Sequence, residues 1–193
     1  MRRERPTLFK RRHFEAEIIV LCVRWYLRYR SWRVDEMYCR VARKWTDFYR
    51  AVDSTGATID FLLSAKRDAA AAKRFLQKAL RSPGHPRPRV INVDRNPSYP
   101  KAISALRQTG DLGRRCRCRP VRYLNNIIEQ DHRAIKRRLR ACQGFRSFHA
   151  AWRTLQGIEA MNIIRKGQVR WIAKDDIASQ AMFINDILGL TAR

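Results

Sequence analysis

Three runs at residues 34–41, 48–52 and 58–63 are each rich in aromatic and β-branched residues. Only short polar breaks separate them, which commits this part of the chain to a sheet. Asp53-Ser-Thr-Gly56 is a turn signal, so the second and third runs are expected to form an antiparallel hairpin. The pattern then becomes an alternation of helix and strand. Residues 68–81 predict an alanine-rich helix with Asp68 at its N-terminus. Ser82-Pro-Gly-His-Pro-Arg-Pro88 is a loop by composition, and residues 89–93 predict a short apolar strand buried in the sheet. Pro97 opens a helix reaching about Thr109, and residues 110–120 form a Gly- and Arg-rich connector with room for a last short strand. A helix capped by Asn125 or Asn126 runs to about Arg140; further helices cover 147–166 and about 177–188. Ahead of the sheet lie a basic arm (1–13) and a helical pattern (14–29). The expected fold is α/β, a mixed sheet flanked by helices. Its expected divisions are a basic arm with a short N-terminal helix (1–30), a core (31–168) and a C-terminal helical tail (169–193).

Charge narrows what such a core meets. Forty-two Lys and Arg against seventeen Asp and Glu leave a formal charge of +25, which favours a polyanionic partner, and nucleic acid above all. A membrane surface is the competing reading, but the cations are spread along the whole chain and not gathered on one amphipathic helix. The apolar run from Ile18 to Val23 is too short to span a bilayer, and Glu15 and Glu17 interrupt a signal-peptide pattern. The five cysteines are odd in number, and Cys116-x-Cys118 lacks a second ligand pair at zinc spacing. Reduced thiols and a cytoplasmic setting are the expectation.

Three acids stand out against this basic background. Asp35 lies inside the first strand, on the same face as Met37, Cys39 and Val41, where an unpaired carboxylate carries a large desolvation cost. Asp94 ends an apolar strand, and the carboxyl ends of strands are where α/β sheets build ligand sites. Glu129 falls in the first turn of the helix after Asn125 and Asn126. Each acid has a plain structural explanation: a buried arginine for Asp35, a turn for Asp94, the helix dipole for Glu129. Together, in a very basic chain, they suit two divalent ions acting on a phosphodiester. The last helix strengthens the case. Glu129, His132 or Arg133, Lys136 and Arg140 recur on one face, while Ile128, Ile135 and Leu139 form an apolar stripe.

At these residues the chain resembles a known family. Val34-Asp-Glu-Met-Tyr38, Tyr49-Arg-Ala-Val-Asp-Ser-Thr-Gly56, Ile59-Asp-Phe61, Asn92-Val-Asp-Arg-Asn-Pro-Ser-Tyr99 and Asn125-Asn-Ile-Ile-Glu-Gln-Asp-His-Arg-Ala-Ile-Lys136 are similar to segments of bacterial insertion-sequence transposases of the family-six type. The likeness runs over roughly 32–168 and continues through Gly144-Phe-Arg-Ser147, Gly157-Ile-Glu-Ala-Met161 and Arg165-Lys-Gly167. It implies a ribonuclease-H-like (retroviral-integrase-like) fold and Asp35, Asp94 and Glu129 as catalytic, metal-binding carboxylates. The implied cofactor is Mg²⁺ or Mn²⁺. Lys136 matches the family's basic residue beyond the glutamate, and Arg133, Arg137 and Arg140 join it as expected DNA contacts. Asn125, Asn126, Asp131 and His132 match flanking positions.

The implied activity is cleavage of DNA at insertion-sequence ends followed by strand transfer into target DNA. The implied setting is a homodimer in the prokaryotic cytoplasm, associated with the nucleoid and not with a membrane. Two departures accompany the likeness. Most of the family's N-terminal helix-turn-helix has no counterpart ahead of Ser31-Trp-Arg33, and Met37 stands where a small polar residue is usual. The departures leave open a catalytically silent remnant that binds DNA without specificity; a separate alternative is a non-enzymatic basic nucleic-acid or ribosome-associated protein.

Overall fold

The computed structural model describes residues 31–189 together with Ile18, which is helical. The basic arm and nearly all of the expected N-terminal helix lie outside the described residues. Five strands form one sheet: β1 (Ser31–Val41), β2 (Lys44–Val52), β3 (Thr58–Ser64), β4 (Val90–Val93) and β5 (Arg117–Pro120). Their order is β3-β2-β1-β4-β5. The first three form an antiparallel meander, whereas β4 and β5 run parallel to β1. This mixed sheet, flanked by helices on both faces, is the ribonuclease-H-like architecture the sequence implies.

Two helices cover one face: α1 (Ala69–Arg81) and α2 (Ser98–Gln108). Asp68 caps α1 by accepting from the Ala71 N–H at 2.7 Å. The alanines on the buried side of α1 let Phe75 and Leu76 reach Trp32, Val34, Tyr49 and Ala51 of the sheet, with Tyr99, Ile103 and Leu106 arriving from α2. Each such large side chain, fully buried, contributes about 1.5–3 kcal/mol relative to exposure.

The opposite face carries α3 (Asn126–Ala141) and α4 (Phe148–Arg165). Met37, Cys39, Val41, Phe48 and Leu63 of the sheet meet Ile135, Ala151 and Leu155 there. A last helix, α5 (Ile177–Leu188), buries only Gln180. The turn between β2 and β3 is organised by Asp53, whose Oδ1 accepts from the Thr55 and Ala57 N–H groups. Gly56 there has a φ of +88°, and a Cβ on it would come within 3.3 Å of the Ile127 side chain in α3.

Several expected details are corrected. β1 and β2 begin earlier than their apolar runs, at Ser31 and Lys44. Their extra residues include Arg33, Lys44 and Asp47, whose polarity hides them from a hydrophobic pattern. They join through a two-residue turn at Ala42 and Arg43, with φ of 48° and 65°, where glycine or asparagine would be the usual signal. Neither Asn125 nor Asn126 caps α3 with its side chain. The Asn125 amide instead donates to the Val34 carbonyl at 3.2 Å, tying the start of α3 to β1.

That tie is one of a series. Only Ser31–Arg33 of β1 pair with β4, so the rest of that edge is free of a strand neighbour. The chain around α3 takes its place: Phe145 N–H donates to the Arg40 carbonyl at 2.8 Å, and Ala42 N–H to the Phe145 carbonyl at 2.7 Å. Beneath α3 and α4 lies a buried ionic network. Arg50 of β2, with no exposed surface, donates to both carboxylate oxygens of Glu159 (2.5 and 3.0 Å) and to Asp131 (3.2 Å). Lys166 also bonds Asp131, and donates to the Thr58 hydroxyl at 3.0 Å. Removing one member of a buried pair strands the other's charge. Glu159→Ala is therefore expected to lower stability by about 3–5 kcal/mol in denaturant titration, and Arg50→Met/Glu159→Leu to recover most of that loss. A single-variant loss under about 1 kcal/mol would show that Asp131 alone satisfies Arg50.

Candidate functional site

The register of the sheet sets the first contact. β1 and β4 pair in parallel with Arg33 beside Asn92. Continuing that register by two residues brings Asp94, just past the end of β4, alongside Asp35. Both then face the same side of the sheet, because two steps along a strand restore the side-chain direction. α3 lays Glu129 over this point from its first turn. Asp35, Asp94 and Glu129 thus line one cleft of about 430 Å³, together with Arg67, Arg95 and Asn125. The three acids expected from the sequence are brought together.

Their surroundings differ. Asp35 has a side chain only 15% exposed; its Oδ1 accepts from the Glu36 N–H at 2.9 Å, and its Oδ2 lies 3.5 Å from His132 Nδ1. Burial, followed by the negative charges of Glu36, Asp94 and Glu129, pushes its carboxyl up to about 7. Asp94 is more open, at 31%, and its Oδ1 accepts from the Asn96 N–H at 3.0 Å, which shapes the turn leading into α2. Glu129 is half-buried. It stands a little back from the tightest acidic group among the described residues, which is Asp35, Glu36 and Asp94, with ligand oxygens within 4.8 Å of one another.

Glu36 was not singled out from the sequence. It neighbours Asp35 in the chain, so the strand alternation turns it to the opposite face. There its two oxygens accept from Tyr99, Asn96 (2.9 Å) and Arg67 (2.8 and 2.5 Å). With its side chain 1% exposed and its acceptors occupied, Glu36 ties β1 to α2 and to the loop before α1. Arg67 also went unnoticed in the sequence. It reaches to 4.0 Å from Asp94 and 3.9 Å from Asp47, and so places a cation at the rim of the cleft.

The remaining expected residues divide. His132 is buried, so it belongs to the floor of the site and not to the outer face of α3. Burial and the charges of Arg50 and Lys136 hold its pKa well below the usual value, and the imidazole is neutral. Asp131 belongs to the ionic network under Arg50, Asn125 is buried against β1, and Asn126 is exposed. Arg133, Lys136, Arg137 and Arg140 are all exposed on α3. Lys136 and Arg140 line a second groove, beyond the acids. Arg50 and Glu159 carried one sequence signal that was missed: an arginine inside the apolar run at 48–52 needs a buried acid.

What could occupy the cleft follows from its donors. Carboxylate and amide oxygens are hard ligands suited to Mg²⁺ or Mn²⁺. An acid held near 7 by burial, and after that by its like-charged neighbours, is short of a compensating positive charge, which a divalent ion would supply. Among the described residues no helix is long and apolar enough to cross a membrane.

A family model for a DDE domain, of the IS240 transposase type, matches residues 29–168. The transposase for insertion sequence-like element IS431mec of Staphylococcus aureus is 37% identical over 138 residues. The transposase for insertion sequence element IS257 in transposon Tn4003, also of S. aureus, is equally similar. In each case the match covers 72% of this chain and 59% of the relative, so the chain spans about three-fifths of their length. An uncharacterized protein of Yersinia pseudotuberculosis, pYV0051, is 39% identical over 88 residues, covering 45% of this chain and 82% of that protein. Among solved structures, a chain of the simian T-cell lymphotropic virus intasome in complex with the PP2A regulatory subunit B56 gamma overlaps 39% of this chain and 28% of its own. That overlap has a TM-score of 0.33 and 18% identity. On the strength of the family match across its sheet and its acidic cleft, the chain belongs to the DDE-domain transposases.

Proposed function

We infer that the chain is a metal-dependent DNA transposase that cleaves DNA at insertion-sequence ends and transfers the freed strand into target DNA. The observation that carries this reading is the meeting of Asp35, Asp94 and Glu129, from two strands and a helix, in one cleft of a chain with a charge of +25. Asp35 and Asp94 would hold the divalent metal, with Glu129 as a further ligand from α3. When bound, Mg²⁺ or Mn²⁺ supplies activation of the attacking oxygen and charge stabilisation at the phosphorus. The protein's own part is positional. His132 packs against Asp35 and limits its rotation; Asn96 fixes the turn that presents Asp94; Arg67 offers its guanidinium to phosphate oxygens. Arg133, Lys136, Arg137 and Arg140 contact the DNA backbone along α3, sequence-independently. Joining two element ends calls for two copies of the chain, so the working form is a homodimer acting at the nucleoid.

Nicking of supercoiled plasmid, or of oligonucleotides carrying element ends, tests the reading. The wild type is expected to nick with Mn²⁺ or Mg²⁺ and not in chelator. Asp94→Asn and Glu129→Gln should each lose more than about 100-fold, since outer partners of metal ligands already cost 10- to 100-fold. Metal-dependent activity that survives in Asp94→Asn would overturn the assignment of the chemistry to this cleft, and no nicking by the wild type on any substrate would leave a DNA-binding protein without it. Lys136→Ala should weaken binding to all sequences alike and lower the salt slope by about one.

The protonation of Asp35 gives a second test. A carboxyl raised from 3.8 to about 7 keeps its proton in the folded state after the unfolded chain has lost it. Folding of the metal-free protein is therefore disfavoured progressively as pH rises from about 4 to about 7, with a constant cost above. Asp35→Asn should stabilise the metal-free protein at pH 8 and have little such effect at pH 4. Metal binding must displace the proton, so calorimetry in buffers of differing ionisation enthalpy should find nearly one proton released per site at pH 6 and almost none at about pH 8.5. Equal proton release at both values would mean that Asp35 is not a ligand.

A further inference from the structure

β1 and α3 run side by side in the same direction, tied at one end by Asn125 to Val34 and at the other by Phe145 to Arg40. From Asp35 to Arg40 the strand advances about 16 Å at ~3.3 Å per residue, and from Glu129 to Arg140 the helix advances about 16 Å at ~1.5 Å per residue. The acidic cleft occupies the first end of this track. The second end is a groove of about 290 Å³ lined by Tyr38, Trp45, Lys136 and Arg140 among others. It adjoins a larger hollow with Arg40, Arg43 and Arg146 on its walls. Trp45 is 70% exposed and Tyr38 48%, their rings edge to face with centroids 6.4 Å apart. Large aromatics this exposed, ringed by cations and without an acid in either groove lining, match the composition of surfaces that hold single-stranded nucleic acid.

The turn that presents Trp45 adds an independent observation. Ala42 and Arg43 both adopt positive φ, an uncommon and costly conformation away from glycine and asparagine. The contact from Ala42 N–H to Phe145 holds them there. A glycine turn would form without that cost but would remove the Arg43 side chain from the hollow. The strain is kept where it projects the Arg43 cation beside an exposed tryptophan, which a ligand explains more directly than folding does.

We propose that Trp45, with Tyr38 beside it, stacks on an unpaired base of a DNA strand whose phosphate backbone runs along Lys136 and Arg140 to the acidic cleft. The track is long enough for about five stacked base steps at ~3.4 Å, so the stacked base lies a few nucleotides from the phosphate that reaches the acidic cleft. This rests on DNA being the substrate of the acidic cleft. The platform serves the strand near the cut, where ends fray or are opened, and it is sequence-tolerant because every base offers a π face.

The test is a binding measurement in chelator, so that no cleavage intervenes. Duplexes carry 2-aminopurine either in a short unpaired overhang or within the paired region. The wild type is expected to quench the unpaired probe and leave the paired one nearly unchanged. Trp45→Ala should abolish that quenching and weaken overhang binding roughly 5- to 100-fold, with fully paired DNA changed less than about twofold. Trp45→Phe should restore part of both, and Trp171→Ala, at another exposed tryptophan, should change neither. Wild-type quenching retained in Trp45→Ala would overturn the proposal, as would equal weakening of paired and unpaired DNA. So would a change in oligomeric state on sedimentation in place of a change in quenching, because the patch would then be a subunit contact. Nicking assayed separately keeps the two readings apart. Base stacking without any metal-dependent nicking removes the chemistry and keeps the platform; nicking without stacking does the reverse.

Discussion

A guanidinium with no exposed surface lies between the sheet and its second helical layer, and the placement of that layer follows from it. Arg50 leaves the middle of β2 and is held by Glu159 from α4 and Asp131 from α3. Lys166, just past α4, shares Asp131 and returns to β3 through Thr58. Taking such charges out of water costs several kcal/mol each unless every partner is in place. The network therefore tolerates one packing of α3 and α4 and penalises those that slide along the sheet. Glu129 and His132 ride on α3, so the acidic cleft inherits its geometry from an ion pair that touches none of its three carboxylates.

Two neighbouring acids show how strand geometry assigns different work to chemically similar residues. Asp35 faces α3, Asp94 and Glu129, with few donors to satisfy it, and its carboxyl is pushed up to about 7. Glu36 faces the opposite layer, where Tyr99, Asn96 and Arg67 saturate it. One residue is left wanting a cation; the next fastens two loops to the sheet. The low local charge of the cleft is a local achievement in a strongly basic molecule. Arg67 and Arg95 stand at its rim, so the cleft sets guanidinium groups directly beside its acids.

Much of this was legible in the sequence, for identifiable reasons. Long periodic segments such as α1, and apolar strands such as β4, declare themselves through burial patterns that one sequence carries in full. Asp35, Asp94 and Glu129 stood out because an acid in or beside an apolar run needs a reason. What stayed hidden depended on partners far along the chain. The start of β1 is masked because Arg33, which bonds the carbonyls of Leu124 and Asp53, separates the buried Trp32 from the rest of the strand, and those contacts have no local signature. The side chain of Asn125 is drawn away from capping by an edge carbonyl of β1. The Ala42–Arg43 turn breaks the composition rules on which turn recognition rests.

The uneven pairing of β1 also bears on the order in which the chain assembles. β1, β2 and β3 form from neighbouring segments, with small loop-closure cost, and can pair before anything else is in place. β4 must come back across the α1 crossover to meet only three residues of β1, and α3 must then settle along the bare remainder of that edge. Asp35 is thus present in the earliest hairpin, Asp94 joins with the parallel strand, and Glu129 arrives with the element that has the longest return to β1. A partly folded chain holds a scattered set of acids and no shared cleft. The shared cleft exists only once α3 lies beside β1, so a chain folded through its sheet alone presents the two aspartates without the glutamate that joins them.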